Sequence, residues 1–420
     1  MKSNILKYFR WIFLSSISGL LAGISSSIFL VLLSLTTETR NSNMSIMYLL
    51  PVAGFFIGYI YYKYGKGSDK GNNLILDEIH NPKKIIPLRM VPFVLFGTLL
   101  THLFGGSAGR EGTAVQMGGT LSDHISKYIK LTAYERKVLL IAGSGAGLGA
   151  AISTPWAGVI FGMEIITVGK LRLFAFFQCL IASFVGYLVV HFLKVPHTIY
   201  PEIQFPEFQT SYIIYLIIAG ITFGLTANSF SRATHFITKV FKKYINYPPL
   251  RPFIGGVLII ILYQIEGTNQ YAGLGLSTIQ NSLIEQSHWS TALLKIFFTA
   301  LTLGSGFKGG EFTPLVFIGA TLGSALAFLT PIPFEILAAV GFVAVFGGAA
   351  NAPIACTIMA IEIFGLSILP YALITCFMSY YFSGHNGIYY SQKYYEKKYQ
   401  RPFNLIRLLG ELPKRFISKP

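Results

Sequence analysis

Charged residues are scarce in this 420-residue chain: they make up 12% of it, against about 25% in an ordinary soluble domain. Hydrophobic residues make up 53%, and they form long runs such as 11–35, 138–168 and 212–227. Runs of about 18 or more apolar residues are typical of membrane-spanning helices. Other runs, such as 253–265, are shorter than a bilayer requires. The composition therefore excludes an ordinary soluble domain and predicts an all-α, polytopic membrane protein.

Cysteine is also rare, and its pattern excludes a disulfide-stabilised scaffold. Cys179, Cys356 and Cys376 lie in apolar runs without the spacing of a disulfide or metal motif, so we expect small buried side chains. The eight histidines show no H-E-x-x-H motif or paired spacing. The sequence therefore predicts no metal site and no cofactor.

Acidic residues are half as common as basic ones, 17 against 33, which gives a formal net charge of +16. Basic residues concentrate near the N-terminus and in the stretch 393–420, which has eight basic and two acidic residues, whereas the loop 194–209 is acidic and proline-rich. By the positive-inside rule, we expect both termini to be cytoplasmic and the loop to be external. We also expect a multi-pass protein of the plasma membrane. The first apolar run is followed by no cleavage pattern and is expected to be a retained helix. Basic residues scattered at segment ends argue against nucleic-acid binding.

Four glutamates interrupt the apolar runs, namely Glu111, Glu164, Glu311 and Glu362. An ionisable group inside a membrane costs several kcal/mol unless it faces a cavity or a partner, so each is a hypothesis for a functional site. For Glu164 and Glu362 we expect a structural role, in which each carboxylate accepts hydrogen bonds from a neighbouring helix end.

The spacing of these glutamates indicates an internal duplication. The segment "GREGT" at 109–113 aligns with "GGEFT" at 309–313, and "GAAISTPWAGVIFGMEI" aligns with "GGAANAPIACTIMAIEI" at a similar offset. We therefore predict a first transmembrane half over 1–210, a second half over 211–392 and a basic cytoplasmic tail over 393–420. Duplicated halves in transporters often meet at the substrate site, on discontinuous helices.

Three glycine breaks precede apolar helical segments, at 71–75, 109–113 and 309–314. The first N–H groups of a helix lack intrahelical partners, and the helix dipole adds partial positive charge there. Glycine lets this backbone approach a ligand closely, so converging helix starts would form an uncharged cage for a small anion. A carboxylate such as Glu111 could occupy the cage as a tethered anion, and could leave it carrying a proton.

Together, "GREG" followed by "VQMGG", then "GLGAAISTPWAGVIFGMEI", then "GGEFTP" and "GATLG", resemble the CLC family of anion channels and anion/proton exchangers, over about residues 10–392. The resemblance implies a homodimer of two independent pores, each subunit an inverted repeat of tilted and discontinuous helices. By the same resemblance, Glu111 matches the external gating glutamate and Asn72 the selectivity serine. Phe312 matches the phenylalanine of the third motif, and Tyr390 matches the tyrosine that closes the inner end of the anion site.

The departures from the chloride-transporting pattern are informative. Where those members read "GSGIP", "GREGP" and "GxFxP", this chain reads "GNNLI", has Thr113 in place of proline and carries Glu311 in the third motif. This set resembles the bacterial branch that exports fluoride in exchange for protons. Ile165 occupies the position of the internal proton-transfer glutamate of chloride/proton exchangers, which puts the usual internal proton path in doubt. A chloride/proton exchanger or a passive chloride channel is the alternative.

The predicted functional residues follow from these motifs. Glu111 is the predicted gate and proton carrier, and Glu311 is a candidate relay for the proton. The predicted anion-binding residues are Gly71, Asn72, Asn73, Arg110, Glu111, Gly112, Thr113, Phe312, Thr313 and Tyr390.

Other roles stay open for several of these residues. Arg110 could attract anions or pair locally, Asn72 could be a plain helix cap, and Tyr390 could belong to an interfacial aromatic belt. Glu111 and Glu311 could also form the acid/base pair of a membrane hydrolase, but the chain lacks a serine elbow and metal-ligand spacing.

The predicted partners are fluoride, protons, the lipid bilayer and a second copy of the chain, which would pack on stretches 172–193 and 366–383.

Overall fold

A computed structural model of the chain describes residues 2–385, 387–395 and 398. Most of them are helical, and the helices differ widely in length. Within the described residues, five helical stretches are long and apolar enough to cross a membrane: Leu6–Ser42, Met44–Tyr64, Leu173–Phe192, Tyr212–Tyr244 and Phe312–Leu329. Four shorter apolar helical stretches accompany them, at Met90–Leu103, Phe334–Ala350, Pro353–Phe364 and Leu366–Phe382. The predicted all-α membrane architecture with unequal helices is confirmed.

Eight of the described α-helices precede residue 210. They are α1 (Lys2–Ser42), α2 (Leu50–Tyr64), α3 (Asn72–His80), α4 (Met90–Leu103), α5 (Glu111–His124), α6 (Ala133–Ile152), α7 (Pro155–Glu164) and α8 (Phe176–Phe192).

Eight more follow it in the described part of the chain. They are α9 (Tyr212–Tyr244), α10 (Leu250–Glu266), α11 (Leu276–Ser282), α12 (Trp289–Ser305), α13 (Phe312–Leu326), α14 (Phe334–Ala350), α15 (Pro353–Phe364) and α16 (Leu369–Phe382). Two short strands, β1 (Thr167–Val168) and β2 (Lys393–Tyr394), pair in parallel. Most of the predicted tail 393–420 lies outside the described residues.

Corresponding turns in the two halves have the same local geometry. Between α6 and α7, Ser153 has a left-handed backbone with φ 65°, and between α14 and α15, Asn351 has φ 57°. Each is followed two residues later by a proline that begins the next helix, Pro155 or Pro353. Proline suits a first helical position because its missing N–H would have no partner there. This repetition supports the predicted duplication, and the boundary at residue 210 stays a prediction.

The two structural glutamates cap each other's helices. The Glu164 carboxylate, at the end of α7, accepts hydrogen bonds from the backbone N–H groups of Ile354 and Ala355 at 3.0 and 2.7 Å. The Glu362 carboxylate, near the end of α15, accepts them from Trp156 and Ala157 at 2.9 and 2.8 Å. A carboxylate at a helix start satisfies orphan N–H groups and interacts favourably with the dipole. The structural role predicted for both glutamates is confirmed.

The backbones of α13 and α14 cross in close contact because small residues line the crossing. A Cβ on Gly319 would collide with the carbonyl of Gly341, and a Cβ on Gly323 would collide with the carbonyl of Leu337. Small residues allow such close approach between membrane helices. This packing fixes the helix axis of α13, whose first residue lies at the third glycine break.

Candidate functional site

The three glycine breaks meet in the interior of the molecule. Gly109 and Gly310 form an antiparallel bridge, in which the N–H of each donates to the carbonyl of the other at 2.7 and 2.8 Å. A Cβ on Gly112 would lie 2.9 Å from the Cα of Gly310 and 3.3 Å from Nδ2 of Asn72. The starts of α3, α5 and α13 therefore converge at one place, and they come from both halves of the chain.

Glycine is required at two of these positions for different reasons. Gly71, the residue before α3, has φ 57° and ψ −132°, a conformation that a residue with a Cβ rarely adopts. At Gly112 the backbone of the other half leaves no room for a side chain. The backbone N–H groups of α5 can consequently face a small ligand without side-chain shielding.

The Glu111 carboxylate lies at this convergence and is 2% exposed. The hydroxyl of Thr313 donates to both of its oxygens, at 2.8 and 2.7 Å, so the carboxylate bridges the starts of α5 and α13. The backbone N–H of Arg110 donates to Oε2 at 3.1 Å, and the Arg110 guanidinium Nε donates to Oε1 at 3.3 Å. A buried carboxylate is tolerable only with such compensation. Glu111 therefore places a carboxyl group, hydrogen-bonded on both oxygens, at the point where two helix starts meet.

Arg110 is engaged locally. Besides its ion pair with Glu111, it donates from Nη2 to the hydroxyl of Thr198 at 3.4 Å. Thr198 belongs to the acidic loop 194–209, so this loop contacts the residue that precedes the carboxylate. Of the two roles considered for Arg110, local pairing is the one that the structure shows.

The two threonines after the breaks are not equivalent. The Thr113 hydroxyl pairs with the Thr98 hydroxyl of α4 at 2.8 Å, while that of Thr313 binds Glu111. Thr98 was not anticipated from the sequence, because nothing in the α4 pattern marks it. Thr313 is therefore the better candidate of the two for contact with an anion.

The two asparagines of the first motif, Asn72 and Asn73, also have different surroundings. Asn72 is the first residue of α3, and Gly71 occupies the N-cap, so the plain cap role does not apply to Asn72. Its Oδ1 is buried and has no hydrogen-bond partner among the described residues. Asn73 instead accepts a hydrogen bond on Oδ1 from the backbone N–H of Ser391 at 3.0 Å. Asn73 thereby anchors the segment after α16, which differs from its predicted role as an anion ligand.

The structure buries the neighbour of Tyr390 and leaves Tyr390 itself exposed. Tyr390 is 64% exposed, whereas Tyr389 is 6% exposed and packs in the main hydrophobic core. The same core contains Phe312 of the third motif. Tyr389 is therefore a better candidate than Tyr390 for the inner end of the anion site, because the turn closed by the Gln392 N–H and the Tyr389 carbonyl places the two side chains in different surroundings.

The third motif supplies an apolar wall and a second carboxylate. Phe312 is 5% exposed and packs edge-on against Phe346 with ring centroids 4.6 Å apart. Glu311 occupies the N-cap of α13, and its side chain makes no capping hydrogen bond.

Gln116 of α5 was not predicted, yet its amide nitrogen lies 3.3 Å from where a Cβ on Gly71 would be. The described residues contain no group of three or more His, Cys, Asp or Glu able to hold a metal ion.

The chain matches known proteins over most of its length. The family model described as "Voltage gated chloride channel" matches residues 53–384. A relative in Pseudomonas syringae pv. tomato named "Chloride/fluoride channel protein" is 47% identical, over 94% of this chain and 88% of its own length. The "H(+)/Cl(-) exchange transporter ClcA" of Vibrio cholerae is 27% identical, over 84% of this chain and 82% of its own.

Solved structures show the same fold. The crystal structure of a CLC-type fluoride/proton antiporter superimposes with a TM-score of 0.89 at 33% identity, covering 93% of this chain and 99% of the other. The structure of a slow cyanobacterial Cl−/H+ antiporter gives a TM-score of 0.78 at 21% identity, covering 90% and 96%. At 21% identity, the similarity to the cyanobacterial antiporter shows a shared fold.

Proposed function

Since this chain belongs to the voltage-gated chloride channel (CLC) family, we propose that it is a secondary active transporter that exports fluoride in exchange for protons. The observation that carries the proposal is the position of Glu111, whose carboxylate occupies the meeting point of helix starts from both halves. Such a place suits a small anion. A protein of this activity would protect the cell against fluoride toxicity.

The exchange follows from competition for one site. When ionised, the Glu111 carboxylate accepts hydrogen bonds from Thr313 and from the Arg110 backbone. When protonated, it has lost the negative charge that these donors favour, so it yields the site to fluoride and carries a proton. Mutually exclusive occupancy couples two ligands, because each shifts the equilibrium that the other requires.

Several features support fluoride over chloride. Fluoride is small and strongly hydrated, so a site must replace its water shell with strong, closely placed donors. Asn72 brings an amide where chloride-transporting members have a serine, and the Thr313 hydroxyl lies at the next helix start. The relative named a chloride/fluoride channel protein and the structural neighbour that is a fluoride/proton antiporter point in the same direction.

The orientation proposed from charge agrees with the contacts of the gate. Both termini would be cytoplasmic in the plasma membrane, and the acidic loop 194–209 would be external. Arg110, next to Glu111, contacts Thr198 of that loop. Glu111 would accordingly exchange protons with the external side.

The internal proton path needs another carboxylate, because Ile165 stands where chloride/proton exchangers place a glutamate. Glu311 is the candidate, since it occupies the N-cap of α13, one of the helix starts that converge at the site. We propose that the proton passes between Glu111 and the cytoplasm by way of Glu311.

The proposed assembly is a homodimer with one pore in each subunit. Its face would be formed by α8 and α16, within the stretches 172–193 and 366–383. Large apolar side chains are exposed there in the single chain, namely Phe177 65%, Leu188 58%, Phe192 85% and Leu373 45%.

Purified protein in liposomes tests the function directly. With fluoride and chloride electrodes, we expect fluoride efflux well above chloride efflux, accompanied by proton uptake. Equal rates for the two anions would overturn the fluoride assignment and favour the chloride/proton exchanger, which the 27% identical relative represents. The similarity to channels and exchangers supports transport over the membrane-hydrolase alternative.

A further inference from the structure

The segment that follows α16 folds back into the protein and inserts Tyr389 between the two halves. The N–H of Ile388 donates to the carbonyl of Ala349 at the end of α14, at 2.9 Å. The N–H of Ser391 donates to Asn73 Oδ1 at 3.0 Å. Immediately after this segment, β2 pairs with β1. The described stretch 387–392, which we call the inner segment, is thus attached at both of its ends.

Gln392 makes the densest set of contacts in the inner segment. Its side chain is buried, and its Nε2 donates to the carbonyls of Ile165 and Ala350 at 2.9 and 2.8 Å. Its Oε1 accepts from Asn351 Nδ2 at 2.9 Å. Both amide hydrogens and the amide oxygen are therefore satisfied.

The partners of Gln392 come from both halves of the chain. Ile165 ends α7 in the first half, while Ala350 and Asn351 end α14 in the second. Helix C-termini present carbonyls that lack intrahelical donors, and the Gln392 amide supplies donors to two of them. Its own backbone N–H donates to the carbonyl of Tyr389 at 3.2 Å, which closes a tight turn. The position of Tyr389 is consequently set by where Gln392 is held.

We propose that Gln392 is a positioning residue that keeps Tyr389 at the inner end of the anion site, and so prevents fluoride from passing without proton exchange. The proposal rests on the proposed function and deepens it. Gln392 acts through Tyr389 and touches neither the anion site nor Glu111. Ile165 contributes to this positioning because its main-chain carbonyl accepts a hydrogen bond from Gln392 Nε2.

Gln392→Met keeps the length of the side chain but removes the three hydrogen bonds. Two carbonyls and the Asn351 amide are then left unpaired in the interior, which disfavours the docked segment. We expect the segment to leave its place more often, so that fluoride leaks without protons. Fluoride efflux in the absence of a proton gradient should rise about tenfold, and fluoride-driven proton uptake should fall in proportion.

A thiol at position 391 reports the docking independently of transport. The three native cysteines are buried, so S391C introduces the accessible thiol of the described chain. We expect a charged, membrane-impermeant thiol reagent to modify S391C/Q392M about ten times faster than S391C. Gln264→Met is the matched control, because it makes the same substitution at an exposed glutamine outside the inner segment. Gln264 donates a hydrogen bond to the Tyr48 hydroxyl. S391C/Q264M should react at the rate of S391C.

Equal modification rates and unchanged proton coupling in Q392M would overturn the proposal. Should Q392M not be recovered folded, S391C/N351A carries the same test, because it removes one of the three hydrogen bonds. Its thiol should react faster than that of S391C, by a smaller factor than the one expected for S391C/Q392M. A modification rate of S391C/N351A equal to that of S391C would likewise contradict the proposal. A wild-type protein that moves no fluoride would instead refute the proposed function, and the thiol measurement would still decide the role of Gln392.

Discussion

Glu111→Gln is the residue-scale change that separates anion mimicry from proton carriage, since it keeps the shape of the side chain and removes its titration. We expect it to abolish fluoride-driven proton uptake, either by freezing the exchanger or by leaving a passive fluoride leak. Paired pH and fluoride electrodes on proteoliposomes measure both outcomes. A variant that still pumped protons against a gradient when supplied with fluoride would contradict the mechanism.

Thr313 and Thr113 offer a matched pair of substitutions. Thr313→Val removes the hydroxyl that binds both oxygens of Glu111, and hydrogen bonds to charged groups contribute about 1.5–3 kcal/mol. We expect its turnover to fall about tenfold or more. Thr113→Val removes a hydroxyl that binds Thr98, and its effect on turnover should stay within about twofold. Initial fluoride efflux rates, normalised to folded protein, compare the two, and a reversed order would refute the assignment.

The position of the site was easier to predict from the sequence than the contacts of each side chain in it. Helix starts and Glu111 were predictable, because glycine breaks and an intramembrane carboxylate are rare within apolar runs. Tyr389 was not, since the doublet "YY" lies in an irregular segment where no helical period fixes the side-chain direction. The anchoring role of Asn73 was equally hidden, because its partner Ser391 is 318 positions away.

At the scale of elements, the reciprocal caps of α7 and α15 should act on stability and not on coupling. Glu164→Ala or Glu362→Ala leaves two helix-start N–H groups without acceptors, and loss of an N-cap costs about 0.5–2 kcal/mol. We expect lower thermal stability in detergent and an unchanged ratio of fluoride to protons. A changed ratio at wild-type stability would place these carboxylates in the proton path.

The crossing of α13 and α14 gives a second prediction about elements. Gly319→Ala places a methyl group against the Gly341 carbonyl, and such overpacking costs about 1–3 kcal/mol or more. Gly186→Ala on α8 is the control, because the nearest atom to its added Cβ would be 3.4 Å away. Thermal unfolding should show a clear loss for G319A and little change for G186A. Equal stabilities would show that the crossing tolerates a wider separation.

Helices were largely predictable from hydrophobic runs and breaks, whereas the pairings between distant segments were not. The short run 253–265 corresponds to α10, and the three breaks correspond to the starts of α3, α5 and α13. The β1–β2 pair joins residues more than 200 positions apart, and two residues carry too little β pattern to be recognised. The Gly109–Gly310 bridge is likewise a product of tertiary packing.

At the scale of the whole molecule, the proposed homodimer is open to direct test. Cross-linking in native membranes should give dimers, because the exposed apolar side chains of α8 and α16 would be covered by a second copy. Substituting arginine for Leu188 should shift the cross-linked product toward monomers. Cross-linking that captured monomers alone from the wild-type protein would contradict the proposed assembly.

The reciprocal capping of α7 and α15 also has a consequence for biosynthesis. The backbone N–H of Trp156, at the start of α7, donates to Glu362, which is 206 positions later in the chain. At about 5–20 residues per second, the ribosome needs about 10–40 seconds to make that stretch. During this interval the nascent first half has a helix start whose final acceptor does not yet exist. Insertion must therefore leave the beginning of α7 near water or a chaperone until the second half arrives, and the two halves should mature together.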